Sequence, residues 1–596
     1  MENNNIYYRK KPVREFNINQ TLYSLTEEVN KDNKEMNAIE LFGTKVTYDQ
    51  LGKSSRQLAD AYSKAGIKEG DAVAILTINL PAVQENLKAL SYLGAKAVWI
   101  DVRNKEKDLI EKLNENNCKI VVAFDGIVNN VIDVINETDV EKVLVVSPKD
   151  YLNPVVKILA SLKKDEDSME IPKVDYNDRV IKYHNFLKSG DKNPIFEPVK
   201  FEKDRPSLII QSSGSTGKPK SILHTEYNLN SEMQKEAYSD LPFAKGKKMH
   251  VSVPPFIIYG LCNSTYAAMA FSMTAVMTPY VREQAIYDDL GKFDFACGAP
   301  FHFRYIYDQI MMLKNKIEYL SKQDCKDAKK ELLKTAKELT KLMEKLDNTS
   351  VFISGGDKIS PKELLEMQQE FRTPIISGYG NNEMCGAAIV NPMYASNPES
   401  AGIPYKGVEV HAFNPDTNEI LPEEEIGELC MTSDSIFIEY VNNPEETKEV
   451  KKLHSDGKYW IHTGDLGYIK NGFVYITGRL KRLIKMDGFK IAPEVIENII
   501  LSVPEIKDCV VVGVPDEKHV EVPMAYLESQ SNVTLTNDEL INLATDACAK
   551  YLPDYEKPSY FQVIDSIPYK NGKHDFNEIE ILGKEYVESL KKVKRV

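Results

Sequence analysis

Residues 211–221, Gln-Ser-Ser-Gly-Ser-Thr-Gly-Lys-Pro-Lys-Ser, have the composition of a loop that binds a polyphosphate. Gly214 and Gly217 let backbone N–H groups turn toward one point, and the hydroxyls and Lys220 add donors and positive charge. The apolar run 207–210 predicts a strand that leads into this loop. The spacing of the glycines is not that of a Walker loop. An ordinary surface turn of similar composition is the alternative interpretation.

Four further blocks follow this loop along the chain, at residues 379–383 (Tyr-Gly-Asn-Asn-Glu), 460–465 (Trp-Ile-His-Thr-Gly-Asp), 478–494 and 567–573 (Ile-Pro-Tyr-Lys-Asn-Gly-Lys). In this order, the loop and the four blocks resemble the signature of the adenylate-forming superfamily, which includes acyl-CoA synthetases, peptide-synthetase adenylation domains and beetle luciferases. Residues 46–51 and 511–516 extend the resemblance to nearly the whole chain. The resemblance implies an α/β fold with a large multi-layer N-terminal domain over residues 1–478, a hinge at 479–482 and a small mobile α+β domain over 483–596.

The resemblance also assigns the residues that bind ATP. The β- and γ-phosphates would be held by Ser212, Ser213, Gly214, Ser215, Thr216, Gly217 and Lys220. The base and the α-phosphate would be contacted by Gly355, Gly356, Asp357, Tyr379, Gly380, Asn381 and Asn382. Asp465 can accept hydrogen bonds from both ribose hydroxyls, and Arg479 can donate to the ribose or a phosphate. Glu383 is the carboxylate matched to Mg²⁺, an ion that prefers hard oxygen ligands.

The pocket for the carboxylic acid is placed by the resemblance at Phe256, Ile257, Tyr259, Gly260 and Gly378. Adenylation domains for amino acids use an aspartate to pair with the α-ammonium group, whereas residues 251–281 contain no acidic residue. An unpaired buried ammonium group is costly. A fatty or aromatic acid without an α-amine is therefore favoured.

The resemblance also implies that the C-terminal part alternates between two orientations about Lys481. In one orientation, Lys573 would contact the acyl carboxylate and the α-phosphate and stabilise the charge that develops there. In the other, the face with Lys485, Gly488 and Phe489 would be presented to a pantetheine thiol. The Asn-Gly pair before Lys573 favours a tight turn that aims its side chain.

Three residues depart from the family pattern. Asn382 stands where a threonine is usual, Ile257 where many acyl-CoA synthetases have a histidine, and Ser221 where a glycine is common. An amide at position 382 can still donate to the α-phosphate. None of the three changes removes an indispensable charge.

Composition agrees with a large cytoplasmic enzyme. A chain of 596 residues is too long for one core and predicts two or more domains. The net charge of −14 argues against a general affinity for nucleic acid or anionic membrane. The eight cysteines are scattered singly, which favours a reducing compartment over a disulfide framework or a structural zinc site. The N-terminal residues have no apolar core of the signal-peptide type.

Short apolar runs at 72–76, 97–100, 120–124 and 143–146 predict strands, and helical stretches such as 81–93 separate them. This alternation is typical of α/β layers. The uncharged stretch 251–281 is long enough to span a bilayer, but its prolines, glycine and polar residues favour a strand, a turn and a buried helix. Residues 312–348 predict an amphipathic helix packed on its own domain, with a docking face for a carrier protein or a second subunit as the alternative.

The sequence therefore predicts an enzyme that uses ATP and Mg²⁺ to convert a carboxylic acid into an acyl-AMP, which then acylates coenzyme A or a carrier-protein pantetheine. An amino-acid adenylation enzyme that loads a carrier protein is one alternative. A catalytically silent homologue that acts as a regulator or scaffold is the other. The length of the acid, the thiol acceptor and the oligomeric state stay open.

Overall fold

The computed structural model describes residues 7–152, 173–212, 219–279, 282–487, 489–516, 518–530, 533–570 and 573–593. The chain divides into two compact units. The first consists of Met1–Glu409 and Thr432–Ile461, and the second of Val410–Met431 and His462–Val596. The mixed α/β architecture with a smaller α+β C-terminal region confirms the predicted fold class. The predicted division at 479–482 stays a prediction; Leu480–Arg482 is a short 3-10 turn within the second unit.

The first unit contains an eight-stranded sheet that carries the loop at 211–221. Its strands, in spatial order, are Glu439–Tyr440, Ser221–Thr225, Pro206–Gln211, Lys96–Trp99, Ala72–Leu76, Cys118–Phe124, Lys142–Val146 and Val180–Lys182. The strands predicted from apolar runs are confirmed, and they are parallel to one another. Ser221–Thr225 returns antiparallel to Pro206–Gln211. The loop therefore connects the ends of two neighbouring strands.

A nine-stranded sheet of the same unit carries the Tyr-Gly-Asn-Asn-Glu block. Its strands, in spatial order, are Ile403–Pro404, Gly386–Val390, Ile375–Asn381, Val351–Ser354, Phe295–Gly298, Lys248–Val251, Thr274–Met277, Asn37–Leu41 and Thr44–Thr47. The central strands are parallel, so that the segments following Val351–Ser354 and Ile375–Asn381 leave the sheet at the same edge. This edge holds the predicted adenosine residues.

Helices cover these sheets. They are Leu22–Asn30, Tyr48–Lys64, Pro81–Leu93, Glu106–Glu115, Val128–Val134, Tyr183–Ser189, Glu226–Glu236, Ile258–Gly260, Ala267–Ala270, Ala285–Asp289, Pro300–Ser321, Lys326–Asp347, Pro361–Phe371 and Pro444–Val450. Pro81–Leu93 begins at its proline and ends before Gly94, whose φ of 68° caps it, as predicted. Lys451–Leu453 is a further strand of this unit and pairs with residues 459–461.

The uncharged stretch 251–281 forms the predicted mixture of short elements, with a π-helical turn at Leu261–Tyr266 between two short helices. Among the residues that the structure describes, none of the helices combines the length and apolar character needed to cross a bilayer. The predicted amphipathic helix corresponds to Lys326–Asp347, which packs beside Pro300–Ser321. Leu342 and Leu346 are buried in a core with Phe303 and Phe352, which confirms packing on its own domain.

The second unit contains antiparallel strands and then an α+β region. The chain enters it within Glu409–Phe413 and Tyr459–Lys470, and Gly427–Thr432 and Phe473–Arg479 complete the first group of strands. The second sheet consists of Phe489–Ile491, Ile484–Met486, Val520–Ser529, Ile506–Asp516 and Tyr560–Val563. Its helices are Pro493–Ile500, Asn537–Tyr551 and Phe576–Val593. A two-stranded hairpin, Tyr569–Lys570 with Lys573–His574, carries the C-terminal lysine.

Candidate active site

The two ends of the loop at 211–221 are held together by backbone and hydroxyl hydrogen bonds. Ser212 N donates to Lys220 O at 2.8 Å, and Lys220 N donates to Ser212 Oγ at 2.9 Å. These contacts close the loop at its base. Ser213, Gly214, Ser215, Thr216 and Gly217 lie outside the described residues, and their phosphate contacts stay predictions.

The helix Glu106–Glu115 supports the exit of the loop. Lys112 Nζ donates to Pro219 O at 2.8 Å and to Glu115 Oε2 at 3.2 Å. The same carboxylate oxygen of Glu115 accepts from Ser221 Oγ at 2.6 Å. No sequence motif signals this support, because the helix lies about one hundred residues earlier in the chain. Only the sheet topology brings it to the loop.

Lys220, the predicted phosphate ligand, is paired with an acidic side chain. Its ammonium group forms an ion pair with Glu446 and lies 5.0 Å from the centre of the Tyr440 ring. Asn443 Nδ2 donates to Glu446 Oε2 at 2.9 Å and so orients the carboxylate. Glu446 and Tyr440 were missed by the sequence reasoning, which assigned no role to residues 440–446.

Glu383, the predicted Mg²⁺ ligand, sits in the short turn Asn382–Met384. Tyr440 OH donates to Glu383 Oε1 at 2.8 Å. Burial raises the pKa of Tyr440, and the carboxylates of Glu383 and Glu446 raise it further, so that the phenol stays a proton donor. Tyr440 thus contacts both the predicted metal carboxylate and the predicted phosphate lysine. A half-buried carboxylate fits the hard-oxygen ligand that Mg²⁺ needs.

Asn382 joins the Tyr-Gly-Asn-Asn-Glu block to the phosphate loop. Its Nδ2 donates to Gln211 O, the residue before the loop, at 3.2 Å. Its backbone oxygen accepts from His224 Nε2 at 2.8 Å. Burial lowers the pKa of His224 to about 4, so the ring is neutral at physiological pH. The amide at position 382 therefore has a structural partner, and its contact with the α-phosphate stays a prediction.

The strand Ile375–Asn381 places Tyr379 and Gly380 at the sheet edge. Tyr379 is half-buried. A Cβ at Gly380 would lie 1.8 Å from Gly386 O, so that only glycine fits the close approach of the neighbouring strand. Asn381 Oδ1 accepts from Met384 N at 2.8 Å and caps the turn that carries Glu383. The Asn381 side chain thus stabilises the turn Asn382–Met384.

The Gly-Gly turn at 355–356 lies against the predicted acid pocket. A Cβ at Gly355 would come within 3.2 Å of the Tyr259 ring, and Tyr259 OH donates to Ile353 O at 3.0 Å. Gly356 has a φ of 83°, which few other residues adopt. The structure therefore brings a predicted adenosine residue and a predicted acid-pocket residue together. Asp357, next in the chain, is exposed.

The other predicted pocket residues differ in exposure. A Cβ at Gly260 would lie 2.2 Å from Pro254 O, which makes glycine necessary in this turn. Phe256 is buried, whereas Ile257 is 37% exposed. Arg103 lies over the Phe256 ring with its guanidinium carbon 5.6 Å from the ring centre. Gly378 pairs with Val390 in the neighbouring strand.

Buried acidic side chains adjoin this pocket segment, although the segment itself contains none. Asn263 Nδ2 donates to Glu232 at 2.9 Å and to Glu236 at 3.1 Å. Lys235 forms an ion pair with Glu232 at 2.5 Å. Burial and the nearby Glu232 raise the pKa of Glu236 to about 8. The cluster therefore holds one ion pair and one protonated carboxyl near pH 7, with no excess negative charge.

In the second unit, the predicted ribose residues lie side by side. Arg479 Nε donates to Asp465 Oδ1 at 2.9 Å, and the two residues face each other across paired strands. Asp465 is buried. Thr463 Oγ1 accepts from Asp465 N at 3.0 Å and donates to Leu429 O at 2.7 Å. A buried carboxylate with one flanking cation is suited to hold a pair of hydroxyl donors.

The hinge and the predicted catalytic face lie further along this unit. Lys481 is exposed, while the next residue, Arg482, pairs with Glu494 at 2.8 Å and Glu497 at 2.6 Å. Lys485 is exposed, and its backbone N donates to Glu521 Oε1 at 2.8 Å. Gly488 and the side chains of Phe489 and Lys573 lie outside what the structure describes. Their predicted roles stay predictions.

The hairpin that carries Lys573 is anchored by one carboxylate. Asp508 Oδ2 accepts from Tyr569 OH at 2.6 Å and from His574 Nε2 at 2.8 Å. Burial alone would raise the pKa of Asp508, but the hydrogen bonds from His574 and Tyr569 outweigh it and hold the pKa below its usual value. Both strands of the hairpin are therefore fixed to the strand Ile506–Asp516.

Comparison with known proteins agrees with this arrangement. Residues 26–441 match the family of AMP-binding enzymes, and residues 495–573 match the C-terminal domain of AMP-binding enzymes. The chain belongs to this family, the adenylate-forming superfamily that its motifs predicted, and is an acid–thiol ligase of the acyl-CoA synthetase type.

Two similar proteins illustrate the range of relatives. Luciferin 4-monooxygenase of Photuris pensylvanica is 29% identical over 527 residues, which cover 85% of each chain. 4-Coumarate–CoA ligase 1 of Petroselinum crispum is 26% identical over 539 residues, which cover 88% of this chain and 87% of the relative.

Solved structures share the fold. An anthranilate CoA ligase in complex with anthranoyl-AMP aligns with a TM-score of 0.76 at 16% identity, over 97% of this chain and all of that chain. ATP-bound MatB from Rhodopseudomonas palustris aligns with a TM-score of 0.77 at 20% identity, over 95% of this chain and 99% of that chain.

Proposed function

We propose that this enzyme joins a carboxylic acid to the AMP moiety of ATP, releases pyrophosphate, and then transfers the acyl group to the pantetheine thiol of coenzyme A, releasing AMP. The observation that carries the proposal is the hydrogen bond from Asn382 to Gln211, which ties the Tyr-Gly-Asn-Asn-Glu block to the base of the phosphate loop. Two motifs that are far apart in sequence are thereby held at one place. The ligases among the similar proteins support the same chemistry.

In this reaction, Ser212 and Lys220 bind the outgoing phosphates, and Asp465 and Arg479 bind the ribose. Glu383 would hold a magnesium ion, which supplies positive charge to the phosphate oxygens when bound. The carboxylate of the acid attacks the α-phosphorus, and the bond to pyrophosphate breaks. Lys573 stabilises the negative charge that develops during this step. The thiol then attacks the acyl carbonyl, and AMP leaves.

The substrate is proposed to be a fatty or aromatic acid without an α-amine. The buried cluster beside the pocket supports this, because Lys235 already pairs with Glu232 and burial keeps Glu236 protonated near pH 7. No excess negative charge is left there to pair with an ammonium group. The exposed Ile257 adds apolar surface to the same pocket segment.

The test is a screen of fatty, aryl and amino acids, each with ATP, Mg²⁺ and coenzyme A, in which pyrophosphate, AMP and thioester are measured. We expect equimolar AMP and thioester with at least one fatty or aryl acid. Glu383→Gln is the control for the proposed magnesium site. We expect this variant to react more slowly with every accepted acid and to accept the same set of acids. Amino-acid-dependent pyrophosphate exchange would support carrier-protein loading instead. Failure of every acid to release pyrophosphate would support a catalytically silent homologue.

A further inference from the structure

A buried carboxylate holds the backbone turn that presents Asp465. Gly464, just before Asp465, adopts a φ of 71°, a conformation that strongly favours glycine. Its N–H donates to Glu428 Oε1 at 3.0 Å. The other oxygen, Glu428 Oε2, lies 2.7 Å from His462 Nδ1. The Glu428 side chain therefore holds both His462 and Gly464, the residues on either side of Thr463.

These groups are almost completely shielded from water. The side chains of Glu428 and His462 are 10% and 4% exposed. Hydrogen bonds to a buried carboxylate are worth more than those at the surface, because water does not compete for them. The position of Asp465 thus depends on a carboxylate from a different strand, Gly427–Thr432.

Cys430 completes a cluster that could also hold a metal ion, since ligand atoms of Glu428, Cys430 and His462 all lie within 4.8 Å of one another. The distances between these ligand atoms favour a hydrogen bond between His462 and Glu428 over a shared metal ion. Ligand atoms that share a tetrahedral zinc ion lie about 3.3 Å apart, given bonds of about 2.0 Å. The separation of 2.7 Å between His462 Nδ1 and Glu428 Oε2 is that of a hydrogen bond.

We propose that Glu428 and His462 are positioning residues for ribose recognition, acting through the Thr463–Asp465 turn. The proposal rests on the proposed function, in which Asp465 binds the ribose hydroxyls. Glu428 fixes the Gly464 N–H, His462 fixes the second oxygen of Glu428, and Asp465 is left at the angle that two hydroxyl groups require. Neither residue needs to contact the nucleotide.

The test compares AMP with 2′,3′-dideoxy-AMP, which lacks both hydroxyls, by calorimetry on the full chain. Glu428→Gln has one acceptor oxygen, so that either the Gly464 N–H or the His462 N–H loses its acceptor. We expect this variant to bind AMP about tenfold more weakly. Its affinity for the dideoxy nucleotide should change by about twofold or less, since that nucleotide has no ribose hydroxyls for Asp465 to bind. Equal losses for both nucleotides would reject the proposal.

Three further variants guard against a misfolded protein. His462→Asn keeps an N–H donor near the Nδ1 position and is expected to bind AMP nearly as well as the original chain, whereas His462→Leu removes it and should discriminate less between the two nucleotides. Glu424→Gln is the matched control, because Glu424 is an exposed carboxylate of the same unit paired with Lys470. A loss of ribose discrimination in Glu424→Gln would overturn the proposal.

Asp465→Ala separates this inference from the proposed function. If Asp465→Ala loses the discrimination between the two nucleotides and Glu428→Gln discriminates like the original chain, the inference fails alone. If Asp465→Ala discriminates like the original chain, the ribose assignment itself fails. The last measurement is the zinc content of the original chain and of Glu428→Gln by elemental analysis. One zinc ion per original chain that is lost in Glu428→Gln would show a metal site and overturn the positioning role.

Discussion

Lys220 and Glu446 form an ion pair in which both side chains are mostly buried, at 21% and 26% exposure. Lys220 is also the residue proposed to bind the departing phosphates of ATP. Because one ammonium group cannot serve both anions fully, the nucleotide has to compete with Glu446. Removal of either partner should therefore change ATP binding, with opposite signs.

Lys220→Ala should lower the catalytic efficiency with subsaturating ATP by roughly 10- to 100-fold, because a charged hydrogen-bond donor to the phosphates is lost. Steady-state rates at varied ATP, with the acid and thiol saturating, measure this effect. The urea midpoint of unfolding should stay near that of the original chain, since the lysine is not part of a core. Unchanged efficiency would reject the phosphate assignment.

Glu446→Gln should instead strengthen ATP binding. The amide keeps the shape and the hydrogen bond to Asn443 but no longer neutralises Lys220, so the KM for ATP should fall by about fivefold. Glu445→Gln is the control, because Glu445 is the neighbouring carboxylate and is 83% exposed. A higher KM in Glu446→Gln would mean that Glu446 assists the nucleotide or its metal ion and does not compete with the phosphates.

The sequence motifs predicted those site residues that lie close together because they share one turn or one pair of neighbouring strands. Asp465 and Arg479 lie in register across a strand pair, and Asn382 and Glu383 lie in one turn beside the loop. Residues that support them, such as Lys112, were not predictable, because charged side chains on helices are assigned to solvent unless a fold is known. The strand order alone brings this helix to the loop.

The predicted acid pocket shows a second limit of sequence reasoning. The uncharged segment 251–281 suggested surroundings without acidic groups, but helix Glu226–Glu236 places Glu232 and Glu236 against Asn263. Spatial neighbours of a segment come from tertiary packing, which the local composition does not contain. The proposal about the substrate therefore depends on the protonation of Glu236, whose pKa burial raises to about 8.

Glu236→Gln tests the protonation state of that cluster. The pKa of Glu236 is raised to about 8 in the folded chain, well above the value of an unfolded glutamate. The carboxyl therefore stabilises the fold fully below the unfolded pKa, and this stability is lost as the pH rises through about 8. The glutamine variant is neutral at every pH. Between the unfolded and folded pKa values of Glu236, the free energy of unfolding of the original chain should fall relative to that of Glu236→Gln by roughly 1.4 kcal/mol per pH unit.

Urea midpoints at several pH values between the two pKa values measure this difference. Glu318→Gln is the control, since Glu318 is an exposed carboxylate with 68% of its side chain accessible. A constant difference between the original chain and Glu236→Gln across the window would show that Glu236 is ionised in the fold. The argument for an acid without an α-amine would then lose its electrostatic support.

Lys573→Ala separates the two half-reactions. Lys573 is proposed to act while the acyl-adenylate forms, so its loss should slow that step by roughly 10²–10³-fold, the range for one donor to a developing charge. Thioester formation from supplied acyl-AMP should be nearly unchanged, because the C-terminal part is proposed to have rotated by then and to hold the lysine outside the site. The variant is given either acid plus ATP or synthetic acyl-AMP, each with coenzyme A, and thioester is followed.

Lys570→Ala is the matched control, because Lys570 pairs with Lys573 across the same hairpin and has no proposed role. A similar loss in both variants with acid plus ATP would point to the charge of the hairpin and not to Lys573 itself. Equal loss with both substrates in Lys573→Ala would show that the lysine is structural. In that case the hairpin anchored by Asp508 would serve the stability of the C-terminal sheet, and another cation would have to stabilise the adenylation step.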